Sequence, residues 1–133
     1  MATINSFEDM NVWQDARALV KEIYRITEVD QLKKDYGLKD QLRRSSVSVM
    51  ANIAEGFERN GNREFLQFLS QAKGSVGELR SHLYIASDLG AINSIEHKQI
   101  VDQILSISRQ LSGLIRYING SSQKGSKYKN RDK

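Results

Sequence analysis

The chain has 133 residues, 39% apolar and 27% charged, the composition of one globular domain and not of a disordered segment. It has no cysteine, which removes disulfides, thiolate metal sites and cysteine nucleophiles together, and no apolar run near the ~20 residues that span a bilayer. The formal net charge of +4 invites a nucleic-acid reading, yet residues 1–118 carry 15 basic and 15 acidic side chains, so the whole excess lies in residues 119–133.

The start, MATINSFEDMN, has neither a basic cluster nor an apolar stretch behind it, so a cytoplasmic chain is expected. With no proline anywhere, nothing interrupts long helices. A first helix is predicted over residues 6–28. Ser6 and Asp9 resemble a capping box, and Met10, Trp13, Ala16, Leu19 or Val20, Ile23 and Ile26 or Thr27 recur on one helical face. A polar connection, VDQLKKDYGLKD, follows, with Gly37 as its breaker.

The second helix is predicted over residues 38–59, with Leu38, Leu42, Ser45 or Ser46, Val49, Ile53 and Phe57 inward. Ser45, Ser46, Ser48, Ala51, Ala54 and Gly56 make it small-sided, which suits a helix lying against others on more than one side. Asn60-Gly61 is a turn, and Asn62 caps a third helix over residues 63–89. Its stripe is Phe65, Phe68 or Leu69, Ala72, Val76, Leu79, Leu83 and Ala86. Gly74 and Gly77 each cost ~1 kcal/mol there against alanine, so a close crossing with a neighbouring helix is expected.

Gly90 ends that segment, and Asn93 with Glu96 caps a fourth helix over residues 94–118. Ile100, Ile104, Ile107, Leu111, Leu114 or Ile115 and Ile118 form its stripe. Asn119-Gly120 closes the body, leaving a flexible basic tail over residues 119–133. Four long helices with short connections make an all-α, antiparallel up-down four-helix bundle over residues 1–118.

The second segment carries something more specific. The run Tyr36-Gly37-Leu38, Gln41-Leu42-Arg43-Arg44-Ser45, Ser48-Val49, Asn52-Ile53-Ala54-Glu55-Gly56 and Arg59 resembles the signature of the four-helix-bundle family named for proteins encoded in intervening sequences of bacterial 23S rRNA. Phe7, Trp13 and Tyr24 upstream, and Phe65, Phe68, Leu69, Ala72, Gly74-Ser75 and Glu78-Leu79 downstream, fit it too, so the resemblance spans about residues 6–118. The chain departs from the family in lacking prolines often found near Tyr36 and just before the Asn-Ile-Ala-Glu-Gly run. The basic tail has no counterpart in it. The resemblance implies a bundle that assembles into a homo-oligomer, typically a pentameric ring, with no enzymatic activity. It also implies kinship with the accessory proteins of diversity-generating retroelements, which pair with a reverse transcriptase and bind nucleic acid.

Enzyme templates fail on the residues present. Di-metal bundles need Glu-x-x-His pairs on two helices, whereas the only histidines are His82, four residues after Glu78, and His97, directly after Glu96. Bundle ribonucleases of the HEPN type need an Arg four to six residues before a His, and Arg80 is only two before His82. There is no P-loop and no Gly-x-Ser-x-Gly elbow. No catalytic residue, metal or cofactor is expected.

Three polar groupings remain. Asn52, Glu55 and Arg59 share a helix face and read as a buried or half-buried network, its inward carboxylate paired by Arg59 or by Arg43 or Arg44, or else as a ligand contact. Residues 33–44 set Lys33, Lys34, Lys39, Arg43 and Arg44 against Asp35 and Asp40, a net of +3, with Tyr36 available to stack on a base. That stretch reads as a solvated loop in one copy and as a basic band if a ring repeats it. The tail offers Lys124, Lys127, Lys129, Arg131 and Lys133 with Tyr128, either an electrostatic arm or a solubilising end. Phe7, Trp13, Tyr24 and Tyr117 suit either the core or a subunit interface.

The expectation is a non-enzymatic homo-oligomer, a pentameric ring, without membrane contact. It would bind RNA or DNA through residues 33–44 and the tail. The alternative is a structural adaptor ring that docks a protein partner with no nucleic acid involved.

Overall fold

A computed structural model describes the backbone of residues 4–132 and the side chains of residues 4–120. A 3-10 turn, Phe7–Asp9, precedes four helices: α1 (Asn11–Ile26), α2 (Tyr36–Glu58), α3 (Asn62–Asp88) and α4 (Ser94–Asp132). Among the described residues there is no strand, and no helix is long and apolar enough to cross a membrane.

Local chemistry explains most boundaries. The Asp9 carboxylate accepts from the backbone N–H groups of Asn5 and Ser6 at 3.2 and 3.3 Å, which holds the 3-10 turn. The single first helix expected from residue 6 is nevertheless broken at Met10, whose backbone is extended (φ −83°, ψ 125°) and whose side chain is buried. Asp35 caps α2 by accepting from the Leu38 N–H at 3.1 Å. Gly37 therefore lies inside the first turn of α2 and is not the breaker it was expected to be. Gly61 and Gly90 carry the positive φ values, 103° and 76°, that the α2–α3 and α3–α4 turns require. Asn93 caps α4 by accepting from the Glu96 N–H at 2.8 Å.

Helix α4 does not stop where the Asn119-Gly120 pair was expected to stop it, because Gly120 takes no positive φ there and the helical backbone runs on to Asp132. The flexible arm expected over residues 119–133, with Lys124, Lys127, Lys129 and Arg131, lies outside the residues whose side chains are described.

Side-chain contacts set the direction of each neighbouring pair. Across α1 and α4, Gln110 reaches Asp15 and Arg25 reaches Glu96. Across α1 and α2, Tyr24 lies against Arg43 and Glu28 against Lys39. Ser48 meets Ser75 and Arg59 meets Glu64 between α2 and α3, while Lys73 meets Ser112 and Tyr84 meets His97 between α3 and α4. In every pair one number rises as the other falls, so all four are antiparallel. Helices α1 and α3 each pack on both α2 and α4, and the cycle closes as an up-down four-helix bundle. The α2–α3 interface is the most extensive and α1–α4 the least.

The core is the predicted stripes: Leu19, Ile23, Ile26, Leu42, Ile53, Leu69, Leu79, Leu83, Ile100, Ile104 and Ile107 are fully buried. Val12, Leu32 and Ile92 join the core from outside them, and Leu32 is the fully buried one. Leu32 sits in the α1–α2 connection, where the Val29 carbonyl accepts from the Leu32 and Lys33 N–H groups at 3.0 and 2.9 Å. Its side chain is 0% exposed and seals that end of the bundle.

Glycine also sets the α2–α3 spacing, though not where expected. A Cβ on Gly74 or Gly77 would meet nothing within 4 Å, so neither serves a crossing inside this chain. A Cβ on Gly56 would lie 2.8 Å from the Phe68 Cβ and 3.0 Å from the Phe65 Cδ1.

Candidate functional site

The stretch of residues 33–44 enters α2 from the loop and lies beside the end of α1, where acids from that end meet it. Arg43 is held on three sides. Its Nε donates to Thr27 Oγ1 at 2.9 Å, its Nη2 donates to Glu28, and its guanidinium lies 4.2 Å from the Tyr24 ring centroid. Lys39 Nζ is 3.0 Å from the same Glu28 carboxylate. Hydrogen bonds from Lys39 and then Arg43 hold that carboxyl below its usual range. Lys33 pairs with Asp30 at 2.8 Å, which raises the Lys33 ammonium and lowers the Asp30 carboxyl.

Glu28 and Asp30 lie just upstream of the stretch, and counting them lowers its net charge from +3 to +1. What stays outward is Lys34, which is exposed, and Arg44, whose side chain is 76% exposed and only loosely approached by Asp40 at 3.7 Å. Beside these cations stand three exposed apolar or aromatic side chains, Tyr24, Tyr36 and Val47, with Tyr36 73% exposed. Two open hollows share Asp40 and Arg43, so the face is one continuous trough running from Tyr36 to Val47.

The Asn52, Glu55 and Arg59 constellation divides into two. Asn52 Nδ2 donates to the Ser48 carbonyl and hydroxyl at 2.8 and 3.0 Å, and the Ser48 hydroxyl shares a hydrogen bond of 2.9 Å with Ser75 on α3. Glu55 and Arg59 pair separately at 2.7 Å. The Arg59 guanidinium also lies 5.1 Å from the Phe68 ring centroid and is kept more firmly protonated by Glu55. The Glu55 side chain is 52% exposed, so it is not the inward carboxylate expected. Arg43 and Arg44 do not reach it, because Arg43 turns to α1. With Gly56 in between, the Asn-Ile-Ala-Glu-Gly run is the element that closes α2 onto α3.

The two histidines do not form a site with each other. His82 Nε2 lies 3.7 Å from Glu78, and the His97 ring packs against Tyr84 at 4.8 Å between centroids, inclined by 53°. Among the described residues no three His, Asp or Glu side chains converge to hold a metal ion. Of the aromatics with two possible roles, Trp13 is buried and Phe7 packs edge-on against it at 5.0 Å, while Tyr24 and Tyr117 are exposed.

Sequence reasoning missed a second groove, between α1 and α4. Two adjoining hollows of about 350 and 400 Å³ share Asp102 and Gln103. Four acids line them, Asp15, Glu22, Glu96 and Asp102. Arg25 spans the groove with Nη2 at 2.7 Å from both Glu22 and Glu96, which raises its pKa. Gln110 donates to Asp15 at 2.7 Å, and Lys98 pairs with Asp102 at 3.0 Å. These acids come from opposite ends of the chain and form no local run. The one signal was the seven-residue step from Asp15 to Glu22, which puts both on one face of α1.

Comparison with known proteins covers most of this architecture. A family model described as 23S rRNA-intervening sequence protein matches residues 8–113. The crystal structure of a protein of unknown function from the S23 ribosomal protein family of Bacteroides thetaiotaomicron VPI-5482 superposes with a TM-score of 0.71 at 20% identity. The match covers 78% of this chain and 97% of that one, and at this identity it speaks to the fold alone. A search of curated proteins finds no match.

Proposed function

The chain belongs to the 23S rRNA-intervening sequence protein family, and from that premise we propose that it is a non-enzymatic scaffold, a homo-oligomeric ring of four-helix bundles that docks a protein partner. One observation carries this reading. Glu28 engages both Lys39 and Arg43, so the two central cations of the α1–α2 trough share one carboxylate that cancels one of their two charges, while Tyr24, Tyr36 and Val47 stand exposed beside them. Phosphate binding draws on cations that release counterions, not on cations held by the protein's own carboxylates. A face of tyrosine, arginine and aliphatic carbon with little net charge has the composition of a protein contact.

Sedimentation or light scattering tests the assembly. A pentamer of the 15.1 kDa chain has a mass of about 75 kDa; a stable monomer refutes the ring. The second reading, sequence-tolerant binding of RNA or DNA, draws on the outward Lys34 and Arg44 and on the +4 carried by residues 119–133. Filter binding at low salt separates the two. Affinity that falls steeply with salt and is lost in Lys34→Glu/Arg44→Glu would put the nucleic-acid reading in place of the protein-docking one.

A further inference from the structure

On the side of the bundle opposite the α1–α2 trough, the seam between α3 and α4 carries cations that no carboxylate holds. Lys73 Nζ donates to the Ser112 hydroxyl at 2.8 Å, a neutral acceptor that leaves its charge whole. Arg109 and Arg116 lie three residues before and four after Ser112, on the same face of α4. Arg116 folds back along that face, its Nη2 4.0 Å from where a Cβ on Gly113 would stand. Arg80 follows Lys73 by seven residues on the matching edge of α3 and Tyr84 by eleven, 51% exposed and packed against His97 of α4. All four cations are exposed, and none enters an ion pair among the described residues. Glu78 is the one acid between Lys73 and Tyr84, and it stands about 140° around the helix from Lys73, beside His82. Asp102 is paired to Lys98. From Gln103 to Arg131 the chain then holds six cations and no acid, and the helical backbone of α4 carries that run on to Asp132.

We propose that the α3–α4 face binds a single strand of RNA or DNA along the seam, with its phosphates against Arg116, Lys73, Arg109 and Arg80 and a base stacked on Tyr84. The antiparallel packing and the Lys73–Ser112 contact order the four cations in that sequence, alternating between the two helices. They span about 16 Å at 1.5 Å per residue, close to the length of five nucleotides at about 3.4 Å each. Cations without a carboxylate of their own are the ones that gain most from a phosphate chain, because its counterions are released when they replace them. Lys39 and Arg43, which share Glu28 across the bundle, have less to gain. Four cations to one exposed aromatic is a poor composition for a protein contact, whose centre is depleted of charge. Tyr84 stands four residues beyond Arg80, about 6 Å further along, and a tyrosine ring accepts any base that is free to leave its stack. The binding is therefore sequence-tolerant and favours an unpaired strand.

This inference deepens the second reading above by giving the strand a different face, and one experiment tells their failures apart. Binding of the full chain to labelled oligo(U), oligo(dT) and a DNA duplex is measured across a salt series. The same is done for Lys73→Gln/Arg80→Gln/Arg109→Gln/Arg116→Gln, for Lys34→Gln/Arg44→Gln, for Lys124→Gln/Lys127→Gln/Lys129→Gln/Arg131→Gln and for Tyr84→Leu. Circular dichroism and sedimentation confirm that each variant folds and assembles as the parent does. The face variant is expected to lose roughly tenfold or more in affinity at low salt, and its log–log salt slope to flatten by about 3, at about 0.7 for each of four phosphates on a single strand. Tyr84→Leu is expected to weaken single strands about fivefold at unchanged slope and to leave the duplex as it was. The Lys34/Arg44 variant should stay within about twofold of the parent. A parent with no affinity at low salt overturns this proposal together with the second reading. Loss in the Lys34/Arg44 variant with none in the face variant overturns the proposal alone. A Lys124–Arg131 variant that loses as much as the face variant, with the same change in slope, reduces the binding to net charge and overturns the face assignment. Competition by polyglutamate at equal charge does so too, and puts an acidic protein in the strand's place.

Discussion

Replacing Gly56 by alanine adds one methyl group at the tightest point of the α2–α3 crossing. The new carbon would lie 2.8 Å from the Phe68 Cβ, 3.0 Å from the Phe65 Cδ1 and 3.4 Å from the Phe65 carbonyl oxygen. Carbon pairs settle at roughly 3.5–4.0 Å, so the shortest contact asks for about 1 Å of separation. The Phe68 Cβ cannot swing away, because it is attached to the backbone of α3. The helices themselves must part, across the largest interface of the bundle. Overpacking of this kind costs about 1–3 kcal/mol, against which alanine returns up to ~1 kcal/mol of helix propensity.

The net expectation is a loss of about 1–2 kcal/mol, seen as a lower urea midpoint at unchanged slope and a melting temperature down by roughly 3–8 °C. Gly74→Ala is the internal control. Nothing lies within 4 Å of its Cβ, so only the propensity gain applies and the variant should be more stable by up to ~1 kcal/mol. A Gly56→Ala protein as stable as the parent, or a Gly74→Ala protein destabilised as much as Gly56→Ala, would refute the steric reasoning.

Leu32→Ala removes a fully buried plug from a connection that reads as polar and should cost about 2–5 kcal/mol in urea unfolding; a loss below ~1 kcal/mol would mean the loop does not seal the bundle. Arg25→Ala breaks the tie of α1 to Glu96 on α4. Because the arginine is half exposed, the expected loss is only about 0.5–1 kcal/mol, and it should shrink at 1 M salt, where exposed charges are screened. The Glu28 carboxyl is depressed below its ordinary value of 4.5, so its contribution is complete above that value and is lost as pH falls through the depressed one. Thermal melts of Glu28→Gln and the parent should therefore differ at neutral pH and converge in acid; a gap that persists or widens there would contradict the pairing.

Four helices, most of their inward stripes and the Asn93–Glu96 cap were legible because each depends on residues within one or two turns. Periodicity at 3.6 residues places Ile23, Ile53, Leu79 and Ile104 inside without reference to any other helix. The Asn-Ile-Ala-Glu-Gly run could be recognised but not explained, since the partners of Gly56 and Asn52 are Phe68 and Ser75 on the next helix. The basic stretch looked stronger in sequence than in space. Its count began at Lys33, whereas the acids that meet it, Glu28 and Asp30, precede it across the helix break.

Length, neutrality of the body, the excess in residues 119–133 and the helical stripes are additive along the chain, so the amino-acid order alone determines them. Which charges cancel and which face a groove is a matter of distances between residues such as Arg25 and Glu96, 71 positions apart and 2.7 Å from contact atom to contact atom. Coulomb interactions and steric overlap act through space. Only the packed bundle could divide a neutral body into one face that is acidic and another that is basic.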